Sequence, residues 1–272
     1  MNKEEYLISK LSSSYIGDDG AMVGDKIYSM DAFFENVHFK REWMSLAQIA
    51  RKAMLVNISD AIAMNAKPLY ALVTLSMPKE MTTDEIDTIL ESLHKVAEEY
   101  SCEIIGGDTI VGERLDFSIT IISESNNPLT RRGLKEGNLL AYTGSLGESK
   151  QDLNRLFNGE EISDDSRFIA PILRQKFIQK ARPHLGVGMD ISDGLFCDTN
   201  KLLDHNEIGF KELITIEKEI GESGEEYEML IGFESDNLKS IERIAKALNL
   251  SLTIFGEVML NKNRFLCHNH HQ

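Results

Sequence analysis

The side chains of this sequence best suited to chemistry are carboxylates that stand at the ends of apolar runs, beside Gly, Ser or Thr. IGDDGAM places Asp18 and Asp19, IYSMDAF places Asp31, and VNISDAIAM places Asp60; IIGGDTI places Asp108, and VGMDISDGL places Asp190 and Asp193. Strand ends and helix starts are where α/β folds build ligand sites. Oxygen-only donors suit hard cations, Mg²⁺ above all, which bind through a few carboxylates, waters and substrate phosphates. Taken alone, residues 187–195 read equally well as a strand end followed by an Asp- or Ser-capped helix.

Asp60 interrupts a helical pattern whose neighbours Ile58, Ala61, Ile62 and Ala63 are apolar. A carboxylate on a partly buried face is costly unless it is paired or bound to a cation. Arg51 and Lys52 do not lie three or four residues away, so metal ligation is preferred to a salt bridge, with Asn57 on the same face as its support. Two glycine-containing turns, TGSLGES (143–149) and GGDT (106–109), could bring backbone N–H groups to a phosphate, and each is equally explained as a capped helix start or a tight turn. No P-loop pattern is present. The end of the chain, with Cys267, His268, His270 and His271, matches no closed zinc spacing and reads as a solvated tail.

These residues need a scaffold, and the periodicity supplies one. Residues 26–31, 70–77, 103–108 and 115–122 read as strands, and 45–66 and 82–101 as helices. After a turn-rich stretch at 123–138, a second alternation predicts a strand at 139–145, helices at 146–157 and 165–181, a strand end passing into a helix over 187–205, a strand at 227–234, a helix at 235–249 and a strand at 251–258. The expected class is α/β (α+β) in two domains, 1–130 and 131–272, with mixed sheets packed against helices.

The composition, 42% hydrophobic and 27% charged over 272 residues, is that of a globular protein. A net charge of −15 argues against wrapping nucleic acid, which requires clustered Lys and Arg. No run is apolar enough to span a bilayer, and MNKEEYLISKLSSS lacks the apolar core of a signal peptide. Three separated cysteines, Cys102, Cys197 and Cys267, fit free thiols in a reducing compartment. A cytoplasmic protein is expected.

The ordered series GDDGAM, SMDAFFENVHF, NISDAIAMNAKP, GGDT, TRRG, TGSLGES, MDISDGL and GEEYEML resembles the thiamine-monophosphate kinase family over nearly the whole chain. That family belongs to the ATP-binding superfamily of aminoimidazole ribonucleotide synthetase. The resemblance implies the two-domain fold of that superfamily, a homodimer formed through the first domain, several Mg²⁺ ions, and transfer of phosphate from ATP to thiamine monophosphate. It places Mg²⁺ on Asp19, Ser29, Met30 (through its backbone), Asp31, Asp60, Asp108, Asp190 and Asp193. ATP falls to Gly107, Asp108, Arg131 and Ser192, the substrate to His38 and Glu225, and the metal-mediated catalytic role to Asp193 and Asp108. Met30 replaces a threonine common in the family. The chain is also shorter than typical members and lacks their aromatic-containing C-terminal segment, so a wall for the thiazolium ring must come from elsewhere; Phe33, Phe34, Trp43 and Phe265 are candidates. Another synthetase of the superfamily and a non-catalytic Mg-nucleotide sensor are the alternative readings.

Overall fold

A computed structural model describes residues 3–267. A short helix α1 (Lys3–Lys10) precedes a five-stranded sheet formed by β1 (Ala21–Val23), β2 (Lys26–Phe34), β3 (Lys67–Pro78), β4 (Glu103–Gly112) and β5 (Asp116–Glu124), in the order β1-β2-β5-β3-β4. Only β3 and β4 run parallel, joined by helix α3 (Thr83–Glu99); the other pairs are antiparallel. Helix α2 (Leu46–Ala63) connects β2 to β3.

Both helices open on capping boxes, Ser45 with Gln48 and Thr82 with Glu85, which satisfy the otherwise orphaned N–H groups of the first turn. Their burial differs. Helix α3 buries one stripe, Ile89, Leu93, Val96 and Ala97, whereas α2 is buried around most of its circumference, as expected of a helix at the centre of a fold.

Alternation along the strands divides the first sheet into two faces. Ile27, Phe33, Phe117, Ile119 and Ile121 pack against α2 in the first core. The opposite face carries Tyr28, Met30, Tyr70, Leu72 and Ile110, all exposed.

The second sheet comprises β6 (Asn138–Thr143), β7 (Val187–Asp190), β8 (Gly209–Glu212), β9 (Met229–Glu234) and β10 (Leu252–Met259), in the order β7-β9-β6-β10-β8 with every pair antiparallel. Helix α4 (Glu148–Phe157) follows β6, and α5 (Gln175–Ala181), α6 (Leu195–His205), α7 (Lys218–Gly221) and α8 (Leu238–Ala247) complete the order. One side of the sheet packs Leu140, Val187, Met189 and Leu230 against Leu202 and Leu203 of α6. The other packs Ala141, Ile231 and Phe233 against α5 and α8. Residues 125–137 link the sheets, and packing crosses that link: Leu156, Phe168 and Ile169 are buried in the first core, and Ala63 of α2 in the core between the second sheet and α5 and α8. Among the described residues, no helix is long and apolar enough to cross a membrane.

The expected helix at 165–181 forms only over Gln175–Ala181. Pro171 removes an amide donor and disfavours helical geometry at Ala170. The freed segment instead lays Arg167, Phe168 and Ile169 into the interior, anchored by Ser166 Oγ donating to Asp152 at 2.5 Å. Strands β1 and β8, too short for a periodicity signal, were not anticipated.

The glycine at position 107 has a structural cause. Its φ is 153°, and a Cβ there would overlap the Val73 carbonyl of the adjoining parallel strand. Gly107→Ala should therefore cost about 1–3 kcal/mol in a denaturant titration, as overpacking does, with the loss seen whether or not nucleotide is present.

Candidate active site

Three carboxylates from distant parts of the sequence converge. Asp19 in the loop before β1, Asp60 in the last turn of α2 and Asp190 at the end of β7 place ligand oxygens within 4.8 Å of one another. Each is delivered by local chemistry. The backbone of Arg131, beyond the first sheet, donates to Asp18 Oδ1 at 2.7 Å, while its guanidinium pairs with Asp19, so the GDDG and TRRG segments meet. Ser59 Oγ donates to Asp190 Oδ2 at 2.5 Å, which ties α2 to the end of β7. Asp31 stands on the helix-facing side of β2, open to solvent at the mouth of the site.

The supporting role expected of Asn57 is different in the structure. Its Oδ1 accepts from the Asp31 backbone N–H at 2.8 Å and its Nδ2 donates to the Ala53 carbonyl, so it pins β2 onto α2 rather than supporting Asp60. The spacing of three along the helix was real, but the strand edge alongside offered an unpaired donor.

Electrostatics make this gathering unfavourable without cations. Burial, followed by the charges of Asp31, Asp190 and Asp19, pushes the Asp60 carboxyl well above the usual range. Burial and then Asp19 push Asp190 up in the same way, against the opposing Ser59 hydrogen bond. Asp31 is raised to about 6, first by the protein packed around it and then by Asp19 and Asp193. Asp19 is raised by burial despite Arg131. Asp19 Oδ2 and Ser29 Oγ are both buried without a hydrogen-bond partner. Hard oxygens, unmet polar atoms and mutually raised carboxyl groups fit a divalent cation of the Mg²⁺ type.

The loop after β7 is held by a residue the sequence reading missed. Asp198, fully buried in the first turn of α6, accepts through Oδ2 from the backbone N–H groups of Ser192 (3.1 Å) and Asp193 (3.0 Å). Its other oxygen accepts from Lys201 Nζ at 3.0 Å, and Lys201 also pairs with Asp193. Burial lifts the Asp198 carboxyl to about 6. An aspartate in the first turn of a helix, just after D-x-S-D-G, was the available signal.

His38 and Glu225, far apart in sequence, line one cavity of about 130 Å³ together with Trp43, Phe157 and Phe168. His38 Nδ1 accepts from the Phe34 backbone N–H at 2.9 Å, which leaves the proton of the neutral ring on Nε2. Glu225 is gripped by Lys52, whose fully buried ammonium lies 2.6 Å from Oε2 and 3.8 Å from the Phe168 ring centre. Lys52, set aside in sequence because its spacing from Asp60 was wrong, thus serves a carboxylate 173 residues away.

Other expected positions fall outside the cluster. Met30 turns its side chain to the outer face of the sheet, 64% exposed, so only its main chain can face the site. Asp108 is set apart by register: Ala32, Ser118, Thr74 and Asp108 lie side by side across β2, β5, β3 and β4. Three strand spacings of about 4.8 Å put it roughly 14 Å from the β2 edge of that row. Within one chain it therefore cannot share a cation with the Asp19–Asp60–Asp190 group. Gly107 lies on the same strand.

The TGSLGES turn is not a free phosphate cradle, because Glu226 Oε1 already accepts from Gly147 N (2.7 Å) and Ser149 N (3.3 Å). Phe33 is core, Phe34 packs edge-on to His38, and Phe265 stacks on Phe196 with ring centres 4.2 Å apart, in a part of the molecule that shares no lining residue with the His38 cavity. Cys102, Cys197 and Cys267 form no disulfide, and His268, His270 and His271 lie outside the described residues.

The raised carboxyl groups carry a signed consequence. Folded Asp31 keeps its proton up to about pH 6, whereas the ordinary value is 3.8, so between those limits the folded state binds more protons than the unfolded one. Cation-free stability should therefore fall as pH rises through that window. Ligation needs the deprotonated form, so stabilisation by Mg²⁺ should grow across the same range. Thermal melts with and without Mg²⁺ between about pH 4 and pH 7 check this; melting temperatures indifferent to Mg²⁺ at every pH would count against a cation site.

Residues 17–124 match the family model described as AIR synthase related protein, N-terminal domain. A thiamine-monophosphate kinase of Aquifex aeolicus is 30% identical over 213 residues, 74% of this chain and 69% of the relative. One from Leptospira interrogans is 30% identical over 272 residues, 92% of this chain and 84% of the relative. A solved structure of AaThiL complexed with AMPPCP and TMP superposes with a TM-score of 0.85 at 23% identity, covering 96% of this chain and 91% of that one, which establishes the shared fold. With that extent of sequence identity over both relatives, the chain belongs to the thiamine-monophosphate kinase family.

Proposed function

We infer that the chain transfers the terminal phosphoryl group of ATP to the phosphate of thiamine monophosphate, giving ADP and thiamine diphosphate. The observation that carries this reading is the convergence of Asp19, Asp60 and Asp190 within 4.8 Å beside Asp31 and Asp193, in a chain of this family. A related structure, AaThiL, was solved with AMPPCP and TMP bound.

Phosphoryl transfer between two phosphates requires positioning and charge neutralisation, and the acceptor is already ionised, so no general base is needed. Asp19, Asp31, Asp60, Asp190 and Asp193, with Ser29 Oγ and the Met30 main chain, would hold Mg²⁺. When bound, Mg²⁺ supplies the positive charge that brings two anions together and stabilises charge on the transferring group. Arg131 and Lys201 are the chain's own cations at this place, paired with Asp19 and Asp193, and can turn toward phosphate oxygens once those carboxylates bind metal. Asp198 holds the Ser192–Asp193 loop so that Asp193 stays directed into the site and Ser192 stands beside the nucleotide. His38, with its Nε2 proton, donates to the acceptor phosphate, and Glu225 faces the organic part of the substrate.

A homodimer through the open face of the first sheet completes this reading. Tyr28, Met30, Tyr70, Leu72 and Ile110 form an exposed apolar surface, the kind that marks an interface. Gly107 and Asp108 lie on its outermost strand, so their nucleotide and metal roles are assigned to the site of the second copy. Three cysteines that form no disulfide suit a reducing, cytoplasmic setting.

ADP release from ATP, Mg²⁺ and thiamine monophosphate tests the reaction, with thiamine and formylglycinamidine ribonucleotide in parallel. Turnover is expected with thiamine monophosphate and should drop by about 10²-fold or more in Asp193→Asn; nucleotide binding without turnover on any acceptor would favour a sensor. Sharing of Asp108 between copies is tested by mixing two inactive variants, Asp108→Asn and Asp193→Asn. Subunit exchange should restore about a quarter of wild-type activity, since half the dimers are mixed and each carries one intact site. Activity that stays at zero after demonstrated exchange would remove Asp108 from the partner's site.

A further inference from the structure

Resting on the kinase reading above, we propose that Trp43 and Phe157 form the wall that selects the cationic ring system of the acceptor, and that Lys40 occupies this wall until the substrate displaces it. The two rings meet edge to face, with centres 5.1 Å apart and planes at 88°, at the cavity that also exposes His38 and Glu225. Trp43 comes from the segment between β2 and α2, and Phe157 is the last residue of α4, so the wall needs both halves of the chain. Phe157 is 64% exposed, which is unfavourable for an aromatic side chain that serves only packing.

The wall already holds a cation. Lys40 Nζ lies 4.9 Å from the Trp43 ring centre and 5.6 Å from that of Phe157. The carboxylate of Glu42 is 3.8 Å from this ammonium and largely in solvent, a weak competitor for it. The negative faces of the rings therefore hold it there. A thiazolium ring is also a cation, but flat and poorly hydrated, so it covers more of the same surface than a hydrated ammonium on a flexible stem.

The other aromatic surfaces at the cavity are not available in this way. The face of Phe168 is taken by the buried Lys52, 3.8 Å from the ring centre, and Phe39 is buried and stacked on Phe33 with ring centres 4.9 Å apart. Glu225, one oxygen bonded to Lys52, adds a carboxylate to the lining of the same cavity. An aromatic pair and a carboxylate around one small cavity is a recognition site for an organic cation, and His38 in the same lining suits the phosphate end of the molecule.

Trp43 is the only tryptophan in the sequence, so its fluorescence reports directly on the wall. Thiamine monophosphate should quench it saturably, at concentrations that follow the KM for this substrate. Phe157→Ala, an exposed substitution that leaves the core intact, should raise that KM roughly tenfold with kcat within about twofold, the signature of lost uniform binding. Lys40→Met should lower the KM, because the resident cation is gone. Turnover with no quenching, together with an unchanged KM in Phe157→Ala, would overturn the proposal and leave the kinase reading standing. A wild-type chain that makes no ADP from thiamine monophosphate would instead overturn the kinase reading; saturable quenching would then still support the wall, and its absence would reject it.

Discussion

The constraint on which this molecule depends is the repulsion among carboxylates brought together at the junction of its two sheets. Burial raises the proton affinity of Asp19, Asp31, Asp60 and Asp190, and the charge of Asp19 raises that of the other three further. Such a site is not built for the stability of the free chain. It is built for positive charge, and the structure supplies part of that charge itself through Arg131 on Asp19 and Lys201 on Asp193. Neither cation forms an ion pair with Asp60 or Asp190, and burial pushes both carboxyl groups well above the usual range.

Holding like charges together requires rigid neighbours, and the fold provides them by clamping the halves of the chain around α2. Ser59 of that helix reaches Asp190, Lys52 reaches Glu225, and the Met64 carbonyl just after it accepts from the Leu129 backbone at 2.9 Å. The helix is buried on most sides because it belongs to the first core while touching elements of the second half. Two of the clamps are polar and desolvated. Losing Glu225 would leave the fully buried Lys52 ammonium unmet, which costs far more than an exposed pair contributes. The same clamps fix the distance between the carboxylate cluster and the cavity at His38 and Glu225, so the spacing of these two features and structural integrity rest on one helix.

Much of the fold was legible along the chain. The strands around residues 26–31, 70–77 and 115–122 and the helices opened by Ser45 and Thr82 follow from alternation, helical spacing and capping boxes, all local signals. The segment at 165–174 misled the reading because its apolar residues are spaced as in a helix while Pro171 breaks it, and long-range burial of Phe168 and Ile169 replaces the lost helix. In the site, the clustered aspartates stood out as acids at the ends of apolar runs. Asp198, Ser59 and Lys52 did not, because a capping aspartate, a helical serine and a helical lysine carry no mark of the distant groups they hold.

By itself the sequence determined the chemistry: hard oxygen donors in excess, few cations, no nucleophile with its base, and a motif order that points to one kinase family. These follow from residue type and order and survive any arrangement of the chain. The tertiary structure alone decided which acids work together. Asp19, Asp60 and Asp190 are more than a hundred residues apart at their extremes yet come within 4.8 Å, while Asp108, which looks the same in sequence, sits three strands away from the β2 edge. Register explains the difference, for neighbouring strands are spaced by hydrogen bonds, and no local pattern records how many strands lie between two residues.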